Sequence, residues 1–372
     1  MAAQRRRLWL AAALLPGHEN GAAALPDALA WLDRDPACGQ ARAAWRDGGS
    51  GPDAALLSQG QVPDTGLTAV QRAFPSACDR RVLVLHGATS LAGAGLPGTT
   101  LQAALLLSDR GTALGAAISH LHGPRAASRG SRPLAERAAA LASGLPNIPL
   151  VHMLEPGDEP PWRSLPAGTA WLARSAGALK VLHDDCPTHL NAVGKSLGYL
   201  PVGRLDVAAG VPALRPLDAG RAVPDLWASG TEVAVPRRGA PALVLRLVCA
   251  RIVAADGTVL RQLFGLTSLS ASEADAATVA RWLVRQEQAR RGFRDMAQAW
   301  MALPADTDAA ALAGRAALAA HLGVACWQLA FAPGAAALDA VLHGALGQGR
   351  KLTARAVPGA LLKLFSMLEM AA

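Results

Sequence analysis

Residues 243–266 read LVLRLVCARIVAADGTVLRQLFGL, and this stretch decides the fold. The nearly unbroken apolar run over residues 243–253 predicts a strand that is buried on both faces. Asp256-Gly257 predicts a two-residue hairpin turn, because glycine accepts a positive φ without steric cost. Residues 259–266 are then expected to return as the partner strand.

A long helix is predicted directly after this hairpin. Ser270 and Glu273 have the spacing of a capping box, which marks a helix start. Pro304 ends the helix near Met301, because proline cannot continue a helix interior. The periodicity weakens in the middle of the helix. The apolar side chains expected to face inward are Val279, Trp282, Leu283, Phe293, Met296 and Trp300.

Residues 245–296, from LRLVCARIV to RRGFRDM, resemble the last core strands and the catalytic helix of bacterial insertion-sequence transposases. These are the DDE enzymes of the Tn-five and IS-four group, whose helix carries Y-x-x-R-W-x-I-E-x-F-F-K. The resemblance extends over most of the chain and includes the ending LTARAVPGALLKLFSMLE. It implies a ribonuclease-H-like α/β core with a β-rich insertion and helical regions at both ends.

The resemblance divides the chain into five segments. Residues 1–78 form a helical region, which in the family grips the transposon end. Residues 79–181 begin the ribonuclease-H-like core, and residues 182–240 form the β-rich insertion. Residues 241–303 hold the last core strands and the catalytic-type helix, and residues 304–372 form a helical C-terminal region.

The family's catalytic carboxylates are mostly absent from this chain. Enzymes of this group hold two Mg²⁺ ions with three carboxylates, because these ions prefer oxygen ligands. The first position falls on Gly87 at the end of a short apolar strand, the second on Glu155 and the third on Arg290. An arginine there repels a metal ion, and we expect it to pair with Glu155 instead. We therefore expect no bound Mg²⁺.

Other family positions on the same helix are changed as well. The family's tyrosine and arginine fall on Leu283 and Gln286. A displaced acidic cluster of Glu155, Glu159 and Glu287 is the alternative metal site, since Glu287 shares nearly the same helix face as the third position.

Positive charge points to a nucleic-acid partner. The 372-residue chain has a net charge of +8 and a sequence pI near 9.9, which fits binding to a polyanion. Arginine greatly outnumbers lysine, and a coding bias accounts for part of this excess. Guanidinium groups bind phosphates without sequence preference; an ordinary solvated helix is the alternative. The arginines expected on the polar side of the long helix are Arg281, Arg285, Arg290, Arg291 and Arg294.

Histidine, aspartate and cysteine give no independent metal site. His120 and His122 face the same way on a predicted strand, but no third ligand stands nearby, so we expect a surface pair. Asp184-Asp185 is expected to be a polar turn after a strand. The five scattered cysteines include no C-x-x-C pair, which disfavours a zinc ribbon and fits a reducing cytoplasm. Cys249 and Cys326 are expected in the core.

Membrane insertion is not expected, because no apolar run approaches the roughly 20 residues needed to cross a bilayer. Residues 5–15 imitate a short signal peptide, but a first amphipathic helix is favoured. The sequence thus predicts a cytoplasmic transposase-family protein that is catalytically inactive, at most binds DNA, and pairs as a homodimer through its C-terminal helices. The alternatives are an active strand-transfer enzyme with displaced carboxylates and a helical scaffold protein without DNA binding.

Overall fold

The chain is a mixed α/β protein that divides into two compact units. The computed structural model describes residues 19–46, 70–71, 73–75, 78, 80–123, 133–155, 165–205, 223–237, 239–303, 309–331, 341–342 and 356–370. The first unit comprises residues 1–82, 87–148 and 290–372, and the second comprises residues 83–86 and 149–289. Residues 5–15, with the predicted first helix, and Glu159 lie outside the described ranges.

The elements follow in this chain order: α1 (Glu19–Arg34), α2 (Pro36–Arg46), β1 (Val82–Ser90), β2 (Thr100–Ser108), β3 (Ala113–His122), α3 (Leu134–Gly144), β4 (Leu150–Leu154), β5 (Trp171–Ser175), β6 (Lys180–His183), β7 (Cys186–His189), α4 (Leu190–Ser196), β8 (Leu200–Arg204), β9 (Asp225–Arg237), β10 (Ala240–Val253), β11 (Val259–Thr267), α5 (Ala276–Ala302), α6 (Ala309–Phe331) and α7 (Val357–Met370). Both β1 and α5 contribute residues to each unit.

The first unit packs helices on an antiparallel hairpin. Strand β2 pairs with β3, helices α2 and α6 pack on β3, and α7 contacts both of these helices. Asp35 caps α2, since its Oδ1 accepts the backbone N–H of Cys38 at 2.9 Å, and Pro36 follows in the first helical position, where its missing N–H costs nothing. Burial raises the pKa of Asp35, because its effect exceeds the opposite effect of the hydrogen bond from Cys38.

The second unit holds most of the sheet. Its strand order is β4-β5-β11-β10-β9-β6-β7, and β8 also pairs with β9. Strands β4 and β5 are parallel, whereas the hairpin strands β10 and β11 are antiparallel, as β9 and β10 are. The sheet is therefore mixed, which confirms an α/β fold, while a ribonuclease-H-like core stays a prediction.

The β10–β11 hairpin confirms the expected strands and corrects the turn. The loop spans three residues between Ala254 and Thr258, because the N–H of Ala254 bonds the carbonyl of Thr258 at 2.9 Å. Gly257 has φ 85°, which supplies the left-handed residue that a three-residue hairpin loop requires. The two-residue turn predicted from Asp256-Gly257 is wrong, since the bulge between Ile252 and Val253 shifts the register.

The N-cap of helix α5 lies five residues after the predicted cap residue, Ser270. Oδ1 of Asp275 accepts the N–H of Thr278 at 2.7 Å, so Asp275 is the N-cap. Hydrogen bonds from the side chain and then the backbone N–H of Thr278 lower the pKa of Asp275. Glu273 does accept the N–H of Ser270 at 2.9 Å, but this contact closes a separate turn before the helix. All six apolar side chains expected to face inward are buried.

Three other expectations concern buried or turning residues. Asp184 and Asp185 form the tight turn between β6 and β7 with φ 51° and 60°, as expected for a two-residue loop of this type. Cys249 and Cys326 are buried, as predicted. His120 is only 6% exposed, so the expected surface pair with His122 is wrong for this residue.

No helix within the described ranges combines the length and apolar character that a membrane crossing requires. The cytoplasmic location and the five domain boundaries stay predictions.

The hairpin loop provides a test of backbone conformation. Replacing Gly257 by alanine should lower the free energy of unfolding by about 1–2 kcal/mol, because a Cβ at positive φ is strained. Gly198→Ala is the matched control, since a Cβ there meets open space without a positive φ, and it should leave stability unchanged or slightly higher. Urea denaturation measures both. Equal effects of the two changes would contradict the left-handed conformation of Gly257.

Candidate functional site

Gly87, which the resemblance aligns with the first carboxylate of the insertion-sequence transposases, lies against an aromatic ring. Gly87 lies in β1, and a Cβ added to it would overlap three ring atoms of Phe293, a residue of α5. Phe293 is itself only 8% exposed, so the ring has packed neighbours and is not free to move aside. An aspartate at position 87 therefore has no room for its side chain in this packing.

The second position, Glu155, follows β4 and is held by an amide. Nε2 of Gln286 donates to the carbonyl of Leu154 at 2.9 Å and to Oε1 of Glu155 at 3.3 Å. Gln286 is 1% exposed, and it occupies the position of the family's helix arginine. A neutral side chain thus joins α5 to the end of β4.

The third position, Arg290, is exposed and lies on the same helix face as Gln286 and Phe293. Spacings of four and three residues place side chains on one face of an α-helix. Along this face of α5, Arg290 comes between Gln286 and Phe293 in sequence. Arg290 belongs to the first unit and Glu155 to the second, and the ion pair expected between them stays a prediction.

The carboxylate of Glu287 forms ion pairs with two arginines. The partners are Arg174 of β5 and Arg261 of β11, the latter at 2.7 Å. The side chain of Glu287 is only 4% exposed, against 14% for Arg174 and 28% for Arg261. Two guanidinium groups outweigh one carboxylate, and this net positive charge opposes a metal ion at the same place.

Sequence reasoning did not find these two arginines. Arg174 lies in the strand segment that stands where the family has its V-R-A phrase, and Arg261 lies in the returning hairpin strand. Both reach Glu287 because β5 and β11 are neighbours in the sheet, where Arg174 pairs with Gly265 of β11. Arginines on two neighbouring strands and a buried acid on a later helix were the available signal.

A pair of buried histidines was also not predicted from the sequence. Nε2 of His86 lies 2.8 Å from Nδ1 of His152, and the rings are stacked with their centroids 5.1 Å apart. Both side chains are buried, with His86 in β1 and His152 in β4. One ring donates and the other accepts, so each satisfies a polar atom in an otherwise apolar layer.

The five arginines of α5 were predicted to lie on one polar side of the helix, and this prediction is wrong. At about 100° per residue, Arg285 lies about 40° around the helix from Arg281, whereas Arg290 and Arg294 lie about 180° and 220° around. Arg281 and Arg285 bond Val202 O at 3.3 Å and Gln288 Oε1 at 3.0 Å. The arginines therefore form two groups, a first with Arg281 and Arg285 and a second with Arg290 and Arg294. Their binding to DNA stays a prediction.

The charge of Asp295 affects the net charge near Arg291 and Arg294. Asp295 is 6% exposed, and burial raises its pKa to about 6, although Arg291 and Arg294 favour the charged form. Below about pH 6 this carboxyl holds its proton, and it then cancels less of the arginine charge than an exposed aspartate does.

No group of three or more His, Cys, Asp or Glu side chains is placed to hold a metal ion in the part of the chain that the structure describes. The displaced cluster of Glu155, Glu159 and Glu287 stays a prediction, because Glu159 lies outside that part. No protein-family model matches the sequence, and no curated protein matches it.

Removal of the Glu287 charge tests the double ion pair. Glu287→Gln should lower the free energy of unfolding by at least about 2 kcal/mol, because two guanidinium groups lose their counter-ion. The loss should stay below the full effect of a completely buried pair, since Arg261 reaches solvent. Exposed Glu232→Gln on β9 is the control for loss of one acid. Equal stability of both variants in urea would contradict the role of Glu287.

Asp295 predicts a pH dependence of stability. Its folded pKa is raised to about 6, so the folded chain binds this proton more tightly than the unfolded chain does. Stability should therefore fall as pH rises from about 4 to about 6. Asp295→Asn should flatten this slope and stabilise the protein at neutral pH by as much as about 3 kcal/mol.

The measurement is a set of urea denaturation curves across that pH interval. Exposed Asp27→Asn in α1 is the control and should keep the wild-type slope. A variant Asp295→Asn that retains this slope would contradict the assignment.

Proposed function

We propose that this protein descends from the DDE insertion-sequence transposases, has lost strand-transfer activity, and binds DNA through phosphate contacts. The observation that carries the loss of activity is the ring of Phe293 against Gly87. It removes the room that a first metal-binding carboxylate needs.

The order of elements supports the family and its ribonuclease-H-like core. Three successive strands, β1 to β3, are followed by helix α3 and by the parallel pair β4 and β5. Short strands then precede the β10–β11 hairpin and the long helix α5. This is the order of elements that the resemblance implies.

The chemistry of the three positions supports inactivity. Two-metal transfer needs several converging carboxylate oxygens, which steady both the attacking and the leaving oxygen. Here Gly87 has no side chain, Glu155 is bonded by an amide, and Arg290 brings a positive charge. Glu287, the nearest acid on the same helix, is balanced by two arginines. One carboxylate does not hold a pair of Mg²⁺ ions.

DNA binding rests on the charge that remains. The net charge of +8 and the exposure of Arg290 and Arg294 support phosphate contacts, which supply sequence-independent affinity. Such contacts need no metal ion. The proposal therefore separates binding from catalysis, and it includes a homodimer formed through the C-terminal helices.

A salt series on a mixed-sequence duplex tests DNA binding. The log affinity should fall linearly with log salt, with a slope near −0.9 for each phosphate neutralised. The double variant Arg290→Ala and Arg294→Ala should reduce this slope by about 1.8 in magnitude. The comparison is Arg281→Ala with Arg285→Ala, which removes the same charge from the opposite side of α5 and should change the slope less.

Two outcomes contradict the proposal. Absence of binding by the folded protein at low salt would favour the second candidate function, a protein-interaction scaffold; the internal hydrogen bonds of Arg281 and Arg285 are the observation that supports it. Mg²⁺- or Mn²⁺-dependent strand cleavage that Glu155→Ala abolishes would instead show an active enzyme with displaced carboxylates.

A further inference from the structure

A polar block interrupts the apolar hairpin of the first unit at its open end. In the β2–β3 register, Gln102 pairs with His120 and Thr100 pairs with His122. Residues two apart on a strand share a face, and directly opposite residues share it too. Four polar side chains therefore form a two-by-two block, while the intervening pair, Leu101 and Leu121, is buried.

Two atoms of this block are buried acceptors without a bond. Among the described residues, Oε1 of Gln102 and Nδ1 of His122 have no hydrogen-bond partner. Buried polar atoms in native structures are nearly always satisfied, and an orphan calls for an explanation such as a bound ion. Oε1 offers a lone pair, and Nδ1 offers one in the tautomer that carries its proton on Nε2, so a cation satisfies both atoms.

The spacing suits a single small cation. Neighbouring same-face residues on a strand stand about 6.8 Å apart at Cα, and opposite Cβ atoms stand about 4.5–5.5 Å apart. Side chains of the length of histidine and glutamine converge across such spans. Ligand atoms bind Zn²⁺ at about 2.0–2.2 Å, and three protein ligands with one open position are a common arrangement.

We propose that His120, His122 and Gln102 bind a divalent late first-row metal ion such as Zn²⁺. Two imidazoles favour this class of ion over Mg²⁺ or Ca²⁺, which prefer all-oxygen sites. The amide oxygen supplies the third ligand, and water completes the set. The site lies on β2 and β3 and uses none of the positions of the family's catalytic carboxylates.

Titration of the untagged, full-length protein with ZnCl₂ by calorimetry tests this site. We expect one ion per chain. His122→Ala should weaken binding by more than about 100-fold, because even loss of an outer-shell partner costs 10- to 100-fold. Gln102→Leu should also weaken binding, whereas Gln102→Glu should retain or tighten it, since a carboxylate attracts the ion more strongly than an amide.

Two controls keep the result interpretable. His189→Ala removes an exposed histidine of β7 that bonds the carbonyl of Ala178, and it should leave the affinity unchanged. His122 and Gln102 are partly exposed, so their variants are expected to fold, which circular dichroism checks. Co²⁺ serves as a second probe, because its visible absorption reports nitrogen ligands in a tetrahedral set.

Binding of Zn²⁺ that depends on His122 and Gln102 but not on His189 would support the proposal. Three results would overturn it: no ion bound by the folded wild type at millimolar metal, unchanged affinity in folded His122→Ala, or equal weakening by His189→Ala. None of these outcomes depends on DNA binding.

Discussion

The double ion pair of Glu287 is the constraint on which the second unit depends most. A carboxylate that is almost fully buried on α5 holds arginines from two neighbouring strands, β5 and β11. Next to it, Gln286 bonds the end of β4. The middle of α5 is therefore attached to three strands by polar contacts, which are directional, and the apolar residues on either side supply most of the burial energy.

These contacts explain why the helix is weakly amphipathic in its middle. Gln286, Glu287 and Gln288 are all buried, so this turn has no apolar stripe of the ordinary kind. A buried charge is tolerated only when it is paired. The polar turn thus specifies the register of α5 against the strands, since a shift by one residue would leave a carboxylate and two guanidinium groups unpaired.

Local patterns predicted the elements well, because they depend on neighbours in sequence. The apolar run before Asp256, the return strand and the six buried side chains of α5 all follow from periodicity. The loop length and the helix start were missed where two signals competed: Asp275 caps the helix instead of Ser270. The partners of Glu287 and the His86–His152 pair could not be predicted, since they require strands distant in sequence to be placed side by side.

Under the descent proposed above, the contact between Gly87 and Phe293 makes a return to a metal-binding carboxylate at position 87 hard to reach by evolution. A return to aspartate alone would place its side chain in the ring of Phe293. Shrinking Phe293 first would open a cavity in the core, at a cost of roughly 3–5 kcal/mol. Either order of the two substitutions passes through a destabilised intermediate. Selection for stability therefore opposes the return of an aspartate at position 87. Under the same proposal, lineages that carry this packing can change their polar surface while Gly87 stays covered by Phe293.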